Sequence, residues 1–226
     1  LPISAGVDHF LPRGESEIAV GVGHRERCLR GVEPGPERRA VELDHQIAGG
    51  NPLNRARILL ETVQQMRDEL GAGFLISVKI NSPDATDDDQ QTDDSLRICQ
   101  ALVAAGIDLI EVSGNDASRI EIDTPEDEGY FFPFASLLAD TVDTPVILVG
   151  GHRSIENMHR LLNNSRIEYL SLSRPLLREP DLIKRWAAGD TLPSRCSSCN
   201  SCYRIAGHQC KFLKRDSKRL RASRQA

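Results

Sequence analysis

From residue 51 onward, apolar and polar positions fall into a regular alternation of helix-like and strand-like segments. Asn51 can cap a helix and Pro52 suits its first turn. Leu53, Ala56, Leu60, Val63, Met66 and Leu70 then recur every three or four residues, and Gly71 supplies a stop, which predicts an amphipathic helix. The run at 74–80 is short, apolar and partly β-branched, the pattern of a strand buried on both faces. Similar runs at 107–113, 145–150 and 167–173 are separated by helical stripes at 92–105, 134–142 and 154–162. Four βα units around a parallel sheet are therefore expected, an α/β fold. A closed eight-stranded barrel typically needs about 250 residues and a doubly wound sheet fewer strands, so length alone leaves both architectures open.

The pattern breaks at both ends. Residues 1–48 are rich in arginine, glutamate, glycine and proline and contain no strand followed by a helix, so they are left unassigned, in composition a disordered or aberrant segment. Residues 49–190 hold the βα units, and 191–226 form a cysteine-rich turn and a basic tail that reads as solvated. The first residue is Leu rather than Met, as in a fragment.

Composition narrows the function classes. With 226 residues and 39% hydrophobic content, the chain can bury one sizeable core. A net charge of −5 gives no global attraction for a nucleic acid backbone, which points to a small-molecule substrate. No run approaches the roughly 18 apolar residues a membrane span needs, and the expectation is a cytoplasmic protein. Six cysteines, four of them between 196 and 210, suit reduced thiols or a metal better than a disulfide scaffold.

Chemistry is expected where strands end. Gly150 and Gly151 follow the third strand and let the backbone approach an anion closely, and the helix expected from Ser154 would aim its positive end at the same place. Ser173 and Arg174 close the fourth strand with a hydroxyl and a guanidinium, and Pro175 turns the chain away. The two turns could grip one phosphate between adjacent strands, the bland alternative being a tight glycine turn and an Arg174–Glu179 ion pair. Lys79, a charge near the end of an apolar strand, must reach the open mouth of the sheet or find a structural partner. Asp108 and Glu111 alternate with apolar neighbours, and Glu111 reads as a residue bonded to a neighbouring strand rather than as an acid or base. Cys196, Cys199, Cys202 and Cys210 have a spacing that suits an iron–sulfur cluster or tetrahedral zinc, or else free thiols in a surface loop; His208 reads as exposed.

Several segments, in this order, resemble the C-terminal half of the NADH:flavin oxidoreductases, the old yellow enzyme family, and in particular its dienoyl-CoA reductase-related branch. They are the GGNPLNRAR helix start at 49–57, VKINS at 78–82, DLIEVSG at 108–114, Tyr130-Phe131 with Pro133, PVILVGG at 145–151, SLSRPLLREPD at 171–181 and CSSCNSC at 196–202. The resemblance implies strands five to eight of an FMN-binding (β/α)8 TIM barrel. It places Lys79 beside the flavin ring, and Gly150, Gly151, Ser173 and Arg174 on the FMN phosphate. Ser173 stands where many members have glycine, and the cysteine spacing differs from that of cluster-bearing members. The family's first four strands and its substrate-orienting histidine pair are not recognisable in residues 1–48, so His45 and Gln46 receive no catalytic role.

The implied function is an FMN-dependent oxidoreductase that passes hydride from NAD(P)H through flavin to an activated alkene or similar acceptor. The alternatives are an inactive half-barrel that keeps at most FMN or phosphate binding and self-associates through open sheet edges, or an unrelated phosphate-binding barrel acting on sugar phosphates.

Overall fold

Short apolar runs bounded by glycine and polar turns become four parallel strands. The computed structural model describes residues 50–83, 89–114, 122–213 and 215, and places β1 at Ser77–Asn81, β2 at Leu109–Ser113, β3 at Val146–Val149 and β4 at Tyr169–Ser171. Their order in the sheet is β1-β2-β3-β4, every neighbouring pair parallel. Each strand begins later than its apolar run. In the first, Phe74 and Leu75 remain exposed in a loop that Arg67 holds by donating to the Gly71 and Phe74 carbonyls at 2.9 and 2.8 Å.

The helices are α1 (Pro52–Arg55), α2 (Arg57–Leu70), α3 (Asp89–Ala104), α4 (Phe132–Thr141), α5 (Ile155–Asn163), α6 (Arg174–Arg178) and α7 (Leu182–Ala187). Asn51 caps as expected, its Oδ1 accepting from the Leu53 N–H at 3.0 Å. The single helix predicted from there to Leu70 is instead two, because the backbone relaxes at Ala56 to φ −88° and ψ −2°. Pro175 does not turn the chain away. It occupies the first turn of α6, where a proline lacks no needed N–H and its fixed φ favours a helix.

Register sorts the sheet into two unlike faces, since side chains alternate along each strand. Ile80, Val112, Leu148 and Leu170 align across the four strands on the face that packs against the helices, and all but Ile80 are fully buried. On the opposite face the aligned row is Lys79, Glu111, Ile147 and Tyr169, all exposed or half-buried. Parallel sheets are ordinarily covered on both faces. A helix-covered outer face and a polar, uncovered inner face are what part of a (β/α)8 barrel presents, and that is the fold of the described residues.

Asp108 serves this frame rather than the site: its Oδ2 accepts from Arg67 Nη2 at 2.7 Å and from the Ile76 N–H at 2.8 Å. Partial burial pushes its carboxyl up, but those two donors outweigh it and hold the group below the usual aspartate range. The N-terminal segment with His45 and Gln46, and the tail beyond 215, lie outside the described residues.

Candidate functional site

Because the strands are parallel, the segments that follow β3 and β4 leave the sheet at one rim. Val149 and Ser171 are register partners, so Gly150-Gly151 and Ser173-Arg174 emerge side by side. The glycines are required by packing. Gly151 has φ +73°, and a Cβ there would lie 2.3 Å from Ile122 Cδ1 and 2.8 Å from Tyr130 Cε1; a Cβ on Gly150 would press on the Gly129–Tyr130 backbone at 3.1 Å. The Gly129 N–H also donates to the Gly150 carbonyl at 2.5 Å. Tyr130 spans the two turns: its ring lies against Gly151, and its hydroxyl accepts a long, 3.5 Å hydrogen bond from Arg174 Nη2. Arg174 is 9% exposed, and its Nη1 donates to Asn200 Oδ1 at 2.6 Å.

The helix end expected to assist an anion is already occupied. Glu128, 25 residues earlier in the chain and buried, accepts at Oε2 from the backbone N–H groups of Arg153 and Ser154 at 2.8 and 3.1 Å. Ser154 Oγ then accepts from the Asn157 N–H at 3.3 Å, completing the cap of α5. A carboxylate at this positive end is favoured for the same reason a phosphate would be. An anion at the rim would therefore be served by the amides of the Gly150–Gly151 turn and by Arg174, not by α5. Ser173 is exposed and caps α6 only through its carbonyl, which accepts from the Leu176 and Leu177 N–H groups, each at 3.1 Å.

Beneath the rim, His152 is buried and its Nε2–H donates to the Leu148 carbonyl at 3.1 Å; Nδ1 has no hydrogen-bond partner among the described residues. Burial pushes its pKa down to about 4, so it is a neutral core histidine. Glu179, the expected alternative partner of Arg174, is engaged elsewhere. Its carboxylate lies 3.0 Å from Arg195 Nε and 3.3 Å from Arg185 Nη2, and also accepts from the Arg195 N–H and Ser194 Oγ.

Lys79 meets Glu111, its register partner, at 2.5 Å on the inner face. The ion pair is one of the two readings left open for Lys79, and Glu111 is bonded to a neighbouring strand as expected. The four cysteines Cys196, Cys199, Cys202 and Cys210 line one cleft together with Arg174 and Lys211. Among the described residues no three of His, Cys, Asp or Glu are gathered as a metal ion requires. Asn200 ties the turn to Arg174, and His208 is exposed at φ +50°.

A buried guanidinium beside a glycine turn that tolerates no side chain is a donor set suited to a phosphate monoester such as that of FMN. Three residues of the site carry no signal in the chain's periodicity: Tyr130, Glu128 and Asn200. Tyr130 belongs to a segment that carries the resemblance, and its hydroxyl amid apolar neighbours was the one available hint. Glu128 and Asn200 act on partners about 25 residues away.

Known proteins place this architecture. The NADH:flavin oxidoreductase / NADH oxidase family profile matches residues 44–192. The 4,4′-dithiodibutanoate disulfide reductase of Rhodococcus erythropolis is 24% identical over 84% of this chain and 54% of its own length. The NADPH dehydrogenase of Geobacillus thermodenitrificans is 31% identical over 58% of this chain and 38% of its own. Among solved structures, 6-hydroxypseudooxynicotine amine oxidase from Pseudomonas geniculata N1 superposes with a TM-score of 0.56 at 25% identity, over 72% of this chain and 24% of that one. A 2-naphthoyl-CoA reductase gives 0.54 at 23% identity, covering 67% of this chain and 24% of that one. The chain thus spans about half the length, or less, of the relatives it matches. With four parallel strands in barrel order, both turns on one rim and a family match over most of the chain, this protein belongs to the NADH:flavin oxidoreductase / NADH oxidase family.

Proposed function

We propose that this chain supplies the FMN phosphate end of a flavin-dependent oxidoreductase in which hydride passes from NAD(P)H to FMN and on to an activated alkene or similar small-molecule acceptor. In this reading residues 49–190 are strands five to eight of the barrel and their helices. FMN, when bound, supplies the redox chemistry; the chain supplies binding, orientation and electrostatics. Arg174 offers paired donors to the phosphate, and the Gly150–Gly151 amides approach it without a side chain in the way. Lys79 lies on the inner face where a ring would enter, its charge balanced by Glu111.

The observation that carries the reading is Tyr130, which touches Gly151 with its ring and Arg174 with its hydroxyl and so ties the two turns into one site. The test is reconstitution of the purified chain with FMN. A retained yellow colour that NADH bleaches anaerobically is the expected result, and a chain that stays colourless after reconstitution contradicts it. One observation favours a second reading, a half-barrel that binds flavin without turning over: among the described residues nothing covers the inner face, and enclosing a ring would take segments outside them or a second copy. Colour without bleaching would select this reading.

A further inference from the structure

The cysteine-rich turn is tied to both halves of the phosphate rim. The Ser194 N–H donates to the Arg153 carbonyl at 2.8 Å, just beyond the glycine turn, and Glu179 at the end of α6 accepts from the Arg195 N–H at 2.5 Å. From this double anchor the chain runs through Cys196 and Cys199 to Asn200. That residue adopts φ +56° and ψ +9°, a conformation that asparagine tolerates better than most residues. Its Oδ1 lies 2.6 Å from Arg174 Nη1.

We propose that Asn200 is a positioning residue that fixes the Arg174 guanidinium for the phosphate. The inference rests on the reading of Arg174 as a phosphate ligand. A long arginine side chain has many rotamers, and holding one of them in advance lowers the cost of binding. The chemistry of the acceptor matters as well. A carboxylate in that place would set its own charge against the incoming phosphate, whereas an amide oxygen orients the guanidinium without cancelling its charge. The turn thereby acquires a task that needs no metal: it presents one neutral acceptor at the rim.

The test compares FMN with riboflavin, which lacks the phosphate, by titration of the intact chain. Asn200→Gly removes the acceptor and keeps the positive φ unstrained. The preference for FMN over riboflavin should fall on the order of tenfold in this variant, with riboflavin binding unchanged. Arg174→Ala is the control and should abolish the preference. If Arg174→Ala abolishes it and Asn200→Gly leaves it at the wild-type value, the positioning role is wrong and the phosphate reading stands. Equal weakening of both ligands by Asn200→Gly would mean a merely structural role and would also overturn the inference. A wild-type chain with no preference for FMN defeats the phosphate reading itself, and this inference with it.

Discussion

Arg174 follows the end of β4 and Lys79 sits in the middle of β1; both are cations of the same sheet, and their described partners differ. Among the partners described for it, the neutral oxygens of Asn200 and Tyr130 accept from Arg174, which is buried at the ends of β3 and β4. Lys79, more than half exposed, meets a carboxylate across β1 and β2. Neutral acceptors orient a cation, while a carboxylate orients it and cancels its field. The first arrangement suits a group that must meet an anion; the second suits the wall of a barrel interior. Cation identity therefore does not distinguish the two places, whereas the partners described for them do.

This contrast can be strained from several directions. The largest effect is expected at the support of the Arg174 rim: Glu179→Ala leaves Arg185 without its buried carboxylate and frees the cysteine turn, and should cost about 3–5 kcal/mol in urea unfolding. A loss under about 1 kcal/mol would show that this anchor is dispensable. Burial raises the Glu179 carboxyl, but the Arg195 and Arg185 contacts outweigh it and leave it below the ordinary glutamate range. A depressed carboxyl stabilises the fold above its unfolded pKa and ceases to do so as pH falls through its folded value. His152 acts at higher pH by a different route. Its folded pKa of about 4 lies below the ordinary 6.5, so the unfolded chain takes up the proton first and about 3 kcal/mol of stability drains away as pH falls from 6.5 towards 4. His152→Leu should flatten that part of the pH–stability curve even though its overall stability is lower; an unchanged slope would mean the histidine is not the titrating group.

Gly151→Ala should cost about 2–3 kcal/mol and weaken FMN binding together, because the methyl meets Ile122 and Tyr130 and the positive φ disfavours any Cβ. A neutral outcome by thermal melting would mean that the turn can open freely. On the other side of the comparison, Lys79→Met should change stability by less than about 1 kcal/mol, the ordinary worth of an exposed pair. A larger loss would show that the inner face relies on this pair more than its exposure indicates.

The sheet was legible because its signal is local: apolar runs and helical stripes repeat every few residues, and glycines mark the turns. Even so, α6 and α7 escaped notice, since helices as short as Arg174–Arg178 and Leu182–Ala187 contain too few turns to display a period. The rim residues Gly150, Gly151 and Arg174 were legible from strand order alone. What closes around them was not. Glu128 occupies the end of α5 and Asn200 holds Arg174 through contacts that only folding creates, and no spacing rule connects residues so far apart. In the cysteine turn, spacing drew attention to the four thiols, and it gave no sign of the amide–guanidinium bond between Asn200 and Arg174.

If the proposed function holds, anion binding resides at Arg174 and not at Lys79. The direct measurement is FMN affinity, by calorimetric titration, in the wild-type chain, in Arg174→Ala and in Lys79→Met. Loss of a bidentate charged contact should weaken binding on the order of 50-fold or more in Arg174→Ala and only about 3-fold or less in Lys79→Met. Equal losses in the two variants, or an Arg174→Ala chain that binds FMN as tightly as wild type, would contradict it.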